Sequence, residues 1–287
     1  MTYEQALEVI ASSRFEPMAE GLEGLLLPSI RLHARRVEPE ELPLGASRLG
    51  GQPDLPPGLP WPRREGVQLA FLAQIRLSDF GRLPEMSEFP FSGWLYFFYD
   101  AQNQPWGFSP ADRGCWRVLR YDGPLDELTR TVPEDLPAEC IFPSCSVRIE
   151  LEYNLPSEEV VQGTLGVEFD EDESEAYAAL LEQINGPENA VRHRMFGFAD
   201  EIQGDMRLEC QLVSNGLHCG NASGYEDPRA AELEAGAMDW LLLLQLDTDE
   251  EGPAWMWGDC GRLYFWVREQ DLARGALDDV WVILQSY

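Results

Sequence analysis

Phe71-Leu72-Ala73-Gln74-Ile75, followed by Gly93-Trp94-Leu95-Tyr96-Phe97-Phe98, returns later in the chain as Leu242-Leu243-Leu244-Gln245-Leu246 followed by Gly261-Arg262-Leu263-Tyr264-Phe265-Trp266. A third block lies downstream of each pair. Trp116-Arg117-Val118-Leu119-Arg120-Tyr121 resembles Trp281-Val282-Ile283-Leu284-Gln285-Ser286-Tyr287. Three blocks in one order at nearly one spacing read as an internal duplication. Apolar residues fill both alternating sets within the blocks, as expected of strands covered on both faces. The expected fold is α+β. One unit, residues 1–287, is internally duplicated into two pseudo-symmetric β-sheet halves at about 49–121 and 196–287, with a connector at 122–195 and a few peripheral helices.

Gln74 and Gln245 are equivalent in this pattern, each the one polar residue of an apolar strand. A buried amide left without a partner costs about 1–3 kcal/mol, so each must bond either to backbone where the halves meet or to a ligand.

Outside the blocks, Thr2 and Gln5 form a capping-box pattern for a helix that Pro17 prevents from continuing. Leu25 to Ala34 alternates enough for an edge strand. Residues 47–62 are rich in Pro and Gly, which excludes helix and central strand, while Leu49, Leu55, Leu59 and Trp61 give an ordered loop enough apolar surface to pack. Val147 to Leu155 alternates as a half-exposed strand. Glu171 to Glu175 opens a helix with Tyr177, Leu180, Leu181 and Ile184 on its buried face, stopped by Gly186-Pro187. Met195-Phe196-Gly197-Phe198 opens the second half, with Gly197 set against Gly50, and His218 to Asp227 is a Gly-rich insertion. The last strand is expected to run to Tyr287 and tie the C-terminus into a sheet.

Composition narrows the function. The 51 acidic and 21 basic residues, all of the latter Arg, give a net charge of −30. Such a field repels nucleic acid and anionic membranes and attracts basic partners. The N-terminal segment has no apolar signal-peptide core, and the longest apolar run, Trp240 to Leu244, is far too short to span a bilayer. Six cysteines without a CxxC pair suit a reducing, cytoplasmic setting.

No catalytic motif or cofactor signature stands out. Asp200, Glu201 and Asp205 are the densest acid group near glycines and could serve as general acid and base, as hard-metal ligands or as a contact surface, but no nucleophile or calcium-loop spacing accompanies them. His193, Cys210, His218 and Cys219 lack zinc-site spacing, and Cys115 and Cys260 are expected in the core.

The run Leu49-Gly50-Gly51-Gln52-Pro53 to Trp61-Pro62, then Phe71-Leu72-Ala73-Gln74-Ile75, Leu95-Tyr96-Phe97-Phe98-Tyr99 and Asp112-Arg113-Gly114-Cys115-Trp116, resembles the YwqG-like family of bacterial proteins. Phe196-Gly197, Asp200-Glu201-Ile202-Gln203-Gly204-Asp205 and Val280-Trp281-Val282-Ile283-Leu284 carry the same resemblance through the second half. It implies an α+β fold of duplicated sheets without assigned catalytic residues. It also implies a setting beside polymorphic secreted toxins, and so an immunity role.

The function expected is that of a non-enzymatic cytoplasmic immunity protein, binding no nucleic acid, membrane, metal or cofactor. It would neutralise a basic toxin domain, such as a nuclease, through Asp200, Glu201, Asp205, Tyr225, Glu226 and Asp227. The alternative is a small-ligand-binding module or an enzyme with a pocket between the halves, built from Arg48, Trp61, Gln74, Gln203 and Gln245, with Asp205 as a further polar group.

Overall fold

A computed structural model describes residues 1–82, 92–187 and 190–287. Its strands are β1 (Leu27–Arg36), β2 (Arg48–Leu49), β3 (Asp54–Leu55), β4 (Arg63–Arg64), β5 (Val67–Gln68), β6 (Ala70–Arg76), β7 (Trp94–Tyr99), β8 (Trp116–Tyr121), β9 (Thr129–Arg130), β10 (Cys145–Asn154), β11 (His193–Met195), β12 (Trp240–Asp247), β13 (Arg262–Arg268) and β14 (Trp281–Gln285). The helices are α1 (Tyr3–Ser12), α2 (Ala19–Glu23), α3 (Glu158–Leu165), α4 (Glu171–Asn185), α5 (Arg207–Ser214), α6 (Ala230–Leu233) and α7 (Glu269–Ala273). The fold is a mixture of helix and sheet.

A 10-stranded antiparallel sheet in the order β14-β13-β12-β11-β1-β10-β2-β6-β7-β8 dominates it. The sheet curls until it is nearly a barrel. The rings of Trp116 on β8 and Trp281 on β14 meet edge-on at 5.0 Å, and Trp116 Nε1 donates to the Val280 carbonyl. Phe97 and Phe265 touch at 5.3 Å across the enclosed core. On the opposite face of β6 and β7, Phe71, Tyr96 and Phe98 pack under Leu55, Trp61 and Leu128 from the Pro-rich loop and the connector. Large apolar residues on both faces of these strands are therefore buried twice over.

β1 lies at the centre of the sheet, not at its edge. It pairs with β10 along its whole length and with β11 on its other side. Period-two alternation shows which face is wet but not how many neighbours a strand has. α1 to α4 cover the β1–β10 pair, packing Ile10, Leu22, Val161, Tyr177 and Leu180 around Leu155. The Thr2–Gln5 capping box opens α1, and an Asp170–Glu173 box opens α4.

Two four-strand runs flank that central pair: β2-β6-β7-β8 on one side, β11-β12-β13-β14 on the other, so Arg48–Leu49, at the start of the Pro- and Gly-rich stretch and ahead of its first proline, forms an interior strand against expectation. Each run carries a bulge at the corresponding place, between Phe71 and Ala73 and between Leu242 and Leu244. Gln74 stands opposite Arg48 and Tyr96, and Gln245 opposite Arg194 and Tyr264.

This register shifts two pairings read from the sequence. Counted from the Gln–Tyr pairs, Trp281 corresponds to Arg117, so the third blocks are offset by one residue. Gly197 likewise corresponds to Gly51, three residues after its run's arginine. Phe196 and Gly197 repeat the left-handed backbone of Gly50 and Gly51. The last strand stops at Gln285, and Tyr287 is 64% exposed. Cys115 is buried as expected, but Cys260, in the turn before β13, is exposed.

Candidate functional site

Each run holds a buried polar frame built from the same four residue types. In the first, Gln74 Oε1 accepts from the Asp54 amide (2.7 Å), while its Nε2 donates to the Ala46 carbonyl and to Asp54 Oδ2. Tyr96 donates to the Asp54 carbonyl, and Arg48 pairs with Asp54 Oδ2 at 2.5 Å, both side chains at 0% exposure. In the second, Gln245 Oε1 accepts from the Asp200 amide (2.8 Å), and its Nε2 donates to the Arg192 carbonyl and Asp200 Oδ2. Tyr264 donates to the Asp200 carbonyl, and Arg194 pairs with Asp200 Oδ2 at 3.3 Å. Both glutamines are thus satisfied by backbone and by an aspartate of their own run.

The local cause is a tight loop. Arg48 and Asp54 lie six residues apart, as do Arg194 and Asp200. The left-handed pair between them turns the chain back, so the aspartate lands over the glutamine. Only glycine fits at the second left-handed position: a Cβ on Gly51 would meet Ser144 Oγ at 2.0 Å, and one on Gly197 would meet Asn154 Oδ1 at 2.5 Å. Removal from water lowers the Arg48 guanidinium to about 10, against the attraction of Asp54.

The runs differ in what covers the aspartate. Over Asp54 lies β9, paired to β3. Its Arg130 donates to Asp54 Oδ1 at 2.6 Å and to the Pro39 and Leu42 carbonyls. Over Asp200, the second guanidinium comes from the residue leading into β11: Arg192, at the position of Ala46, reaches Asp200 Oδ1 at 2.9 Å. Burial pushes the Asp200 carboxyl up, but Arg194 and Arg192 outweigh it and hold it below the ordinary aspartate value. At the next register position, Arg76 over the Trp94 ring is replaced by an Asp247–Arg262 ion pair.

In place of a covering strand, the second run faces a cleft of about 630 Å³. Leu155 to Glu159 at the start of α3 form one wall and Ala178 to Gly186 of α4 another, with Arg192, Ala199, Asp200, Glu201, Gly204 and Arg262 as the floor. Its charged lining is Glu158, Glu159, Glu182, Asp200 and Glu201 against Arg192 and Arg262. Both arginines are ion-paired to Asp200 or Asp247, so the field left over is negative. Burial, reinforced by Asp205, raises the Glu201 carboxyl to about 7.

The residues singled out from sequence are distributed unevenly around this cleft. Asp200 and Glu201 line it, although the Asp200 side chain is 6% exposed and internally paired. Asp205 is tied bidentately to Arg207, Asp227 to Arg229, and Tyr225 donates to Glu209 on α5, while Glu226 is exposed. Arg48, Gln74 and Gln245 belong to the sealed frames. Trp61 is core, donating to the Leu69 carbonyl, and Gln203 bonds to the Ser286 carbonyl. The cleft lies between α3–α4 and the second run, rather than between the two halves. His193 does not meet Cys210 or His218; its Nδ1 accepts from the Asp247 amide and its Nε2 faces Asp249. Among the described residues no group of His, Cys, Asp and Glu is arranged to hold a metal ion, and no helix is long and apolar enough to cross a membrane.

Sequence reading passed over Arg130, Arg192, Arg194 and Arg262. The repeated Arg-to-Asp spacing of six was visible, but Arg130 enters from a segment with no counterpart in the second half.

The family model described as Domain of unknown function (DUF1963) matches residues 47–286. The chain belongs to this family. The match begins one residue before β2 and takes in both frames, leaving α1, α2 and β1 outside. No curated protein matches the chain.

Proposed function

We propose that this DUF1963 chain is a non-enzymatic binding protein that captures a positively charged group of a partner in the cleft between α3–α4 and the second run. The observation that carries this is the lining: Glu158, Glu159, Glu182 and Glu201, beside two arginines that are already ion-paired with Asp200 and Asp247. A concave site with low-dielectric walls focuses such a field, and the −30 charge of the whole chain extends it outward. Titration calorimetry with arginine amide tests it. Saturable binding is expected, strengthening as pH rises through 7 and Glu201 ionises, weakening with salt, and reduced in Glu159→Gln and Glu182→Gln. Absence of binding at low ionic strength would remove the reading.

The finer form of this proposal is a cytoplasmic, YwqG-like immunity protein whose partner is a secreted basic toxin, a nuclease being the case the charge suits best. Pull-down from the native host, followed by calorimetry on any small basic protein recovered, tests that form. The apolar wall formed by Leu155, Pro156, Ala178 and Leu181 favours a second reading, a small cationic metabolite as the ligand. Arginine amide binding without a protein partner would point there. The matching frames support a further element of the proposal, descent of the two runs from one duplicated unit.

A further inference from the structure

The first run displays what its frame accepts when covered. β9 lies antiparallel on β3, with Arg130 opposite Asp54 and Thr129 opposite Leu55, and the Thr131 amide donates to the Pro53 carbonyl at 2.9 Å. Counted from the frame residues, Pro53, Asp54 and Leu55 correspond to Ala199, Asp200 and Glu201. This second segment is fixed in the same way, through the amide and carbonyl of its aspartate, but among the described residues no strand lies along it. Among the described residues, the carbonyl of Ala199 and the amide and carbonyl of Glu201 make no hydrogen bond. Ala199, Asp200 and Glu201 all line the cleft. A short strand edge, held rigid from beneath and open along its length, is a template for an added strand.

Charge selects what could be added. Opposite Asp200, the place of Arg130 is already served by Arg192. The charges left to a newcomer are Glu201, on the edge itself, and Glu158, Glu159 and Glu182 on the walls. We propose that the cleft takes an extended basic segment of a partner protein, paired as an additional strand along Ala199–Glu201, with a Lys or Arg side chain against Glu201. This rests on the cation-binding reading above and adds the backbone pairing that a small cation could not make.

The test compares arginine amide, a fluorescent Leu-Thr-Arg-Thr-Arg peptide, and versions of that peptide N-methylated at one amide each, all on the full chain. The peptide is expected to bind more tightly than arginine amide. Methylation at alternate amides should weaken it by about tenfold, the effect of losing a strand bond worth on the order of 1 kcal/mol or more. Amide exchange at Glu201 should slow in the complex, and Glu201→Gln should weaken the peptide several-fold. If arginine amide binds but methylation and Glu201 exchange change nothing, strand pairing is wrong while the cation site stands. If neither arginine amide nor the peptide binds, the cation reading itself has failed.

Discussion

The first frame and the second solve one electrostatic problem in two ways. Each buries an aspartate on a Gln–Tyr–Arg support and needs a second guanidinium for the remaining carboxylate oxygen. The first run imports it on a covering strand, as Arg130. The second supplies it locally, from the residue just before β11, as Arg192. The import seals the first frame, whereas local supply leaves the second without a lid and opens the cleft. A change from Ala46 to Arg192 at one register position thus accompanies the open cleft.

The largest effect expected from disturbing this comparison is at Asp54. Asp54→Ala leaves Arg48 at 0% exposure without its counter-charge, and removing one partner of a buried pair costs about 3–5 kcal/mol. Asp200→Ala should cost less, since Arg194 keeps Glu152 at 3.1 Å and Arg192 borders the cleft. Urea unfolding of the two variants side by side checks the order, and equal losses would break the asymmetry.

Next comes Glu201. Its folded value of about 7 lies above the ordinary glutamate value of 4.5, so the native state holds a proton there that the unfolded chain has released. Stability contributed by that proton is present at acid pH and lost as pH rises toward 7. Glu201→Gln should flatten this slope and stabilise the free protein at pH 8 by on the order of 2–3 kcal/mol. Thermal melts between pH 5 and 8 measure it.

A smaller effect is expected at Arg130. Arg130→Met removes charge-assisted bonds worth roughly 1–3 kcal/mol and should speed amide exchange at Asp54 and Leu55 toward the rate at Asp200 and Glu201. Adding Ala46→Arg should recover part of the loss, because the guanidinium would then be supplied locally as it is in the second run. If Ala46→Arg only destabilises further, the two solutions are not interchangeable. The smallest effect concerns the end of the chain. Deleting Tyr287, 64% exposed and beyond the last strand, should shift stability by no more than about 0.5 kcal/mol.

Gln74 and Gln245 were legible because a lone polar residue in an apolar strand must have a partner, and the repeated blocks marked the two as equivalent. Their partners were not, since Asp54 and Asp200 reach them through loops whose turn depends on left-handed backbone at Gly51 and at Phe196–Gly197. The third-block offset has a similar origin. Matching Trp116 to Trp281 follows side-chain identity, but pairing follows the pleat, and one residue of slip turns every side chain to the other face. The acid group around Asp200 looked like a surface because charge runs usually are. Arg194 on β11 and Arg192 just before it turn its first member into a buried structural ion.

By itself the sequence determined the repeated strand blocks, the helix starts at Thr2 and Glu171, the double burial of the aromatic strands and the negative sign of the field. These depend on residues close together in the chain, where periodicity, capping and charge act locally. Tertiary structure alone decided that β1 runs through the centre of the sheet, that Arg130 crosses 76 residues to close one frame, and that α3 and α4 stand over the other with a cleft between. Those outcomes depend on which distant segment reaches a buried charge first, and no local pattern records that competition.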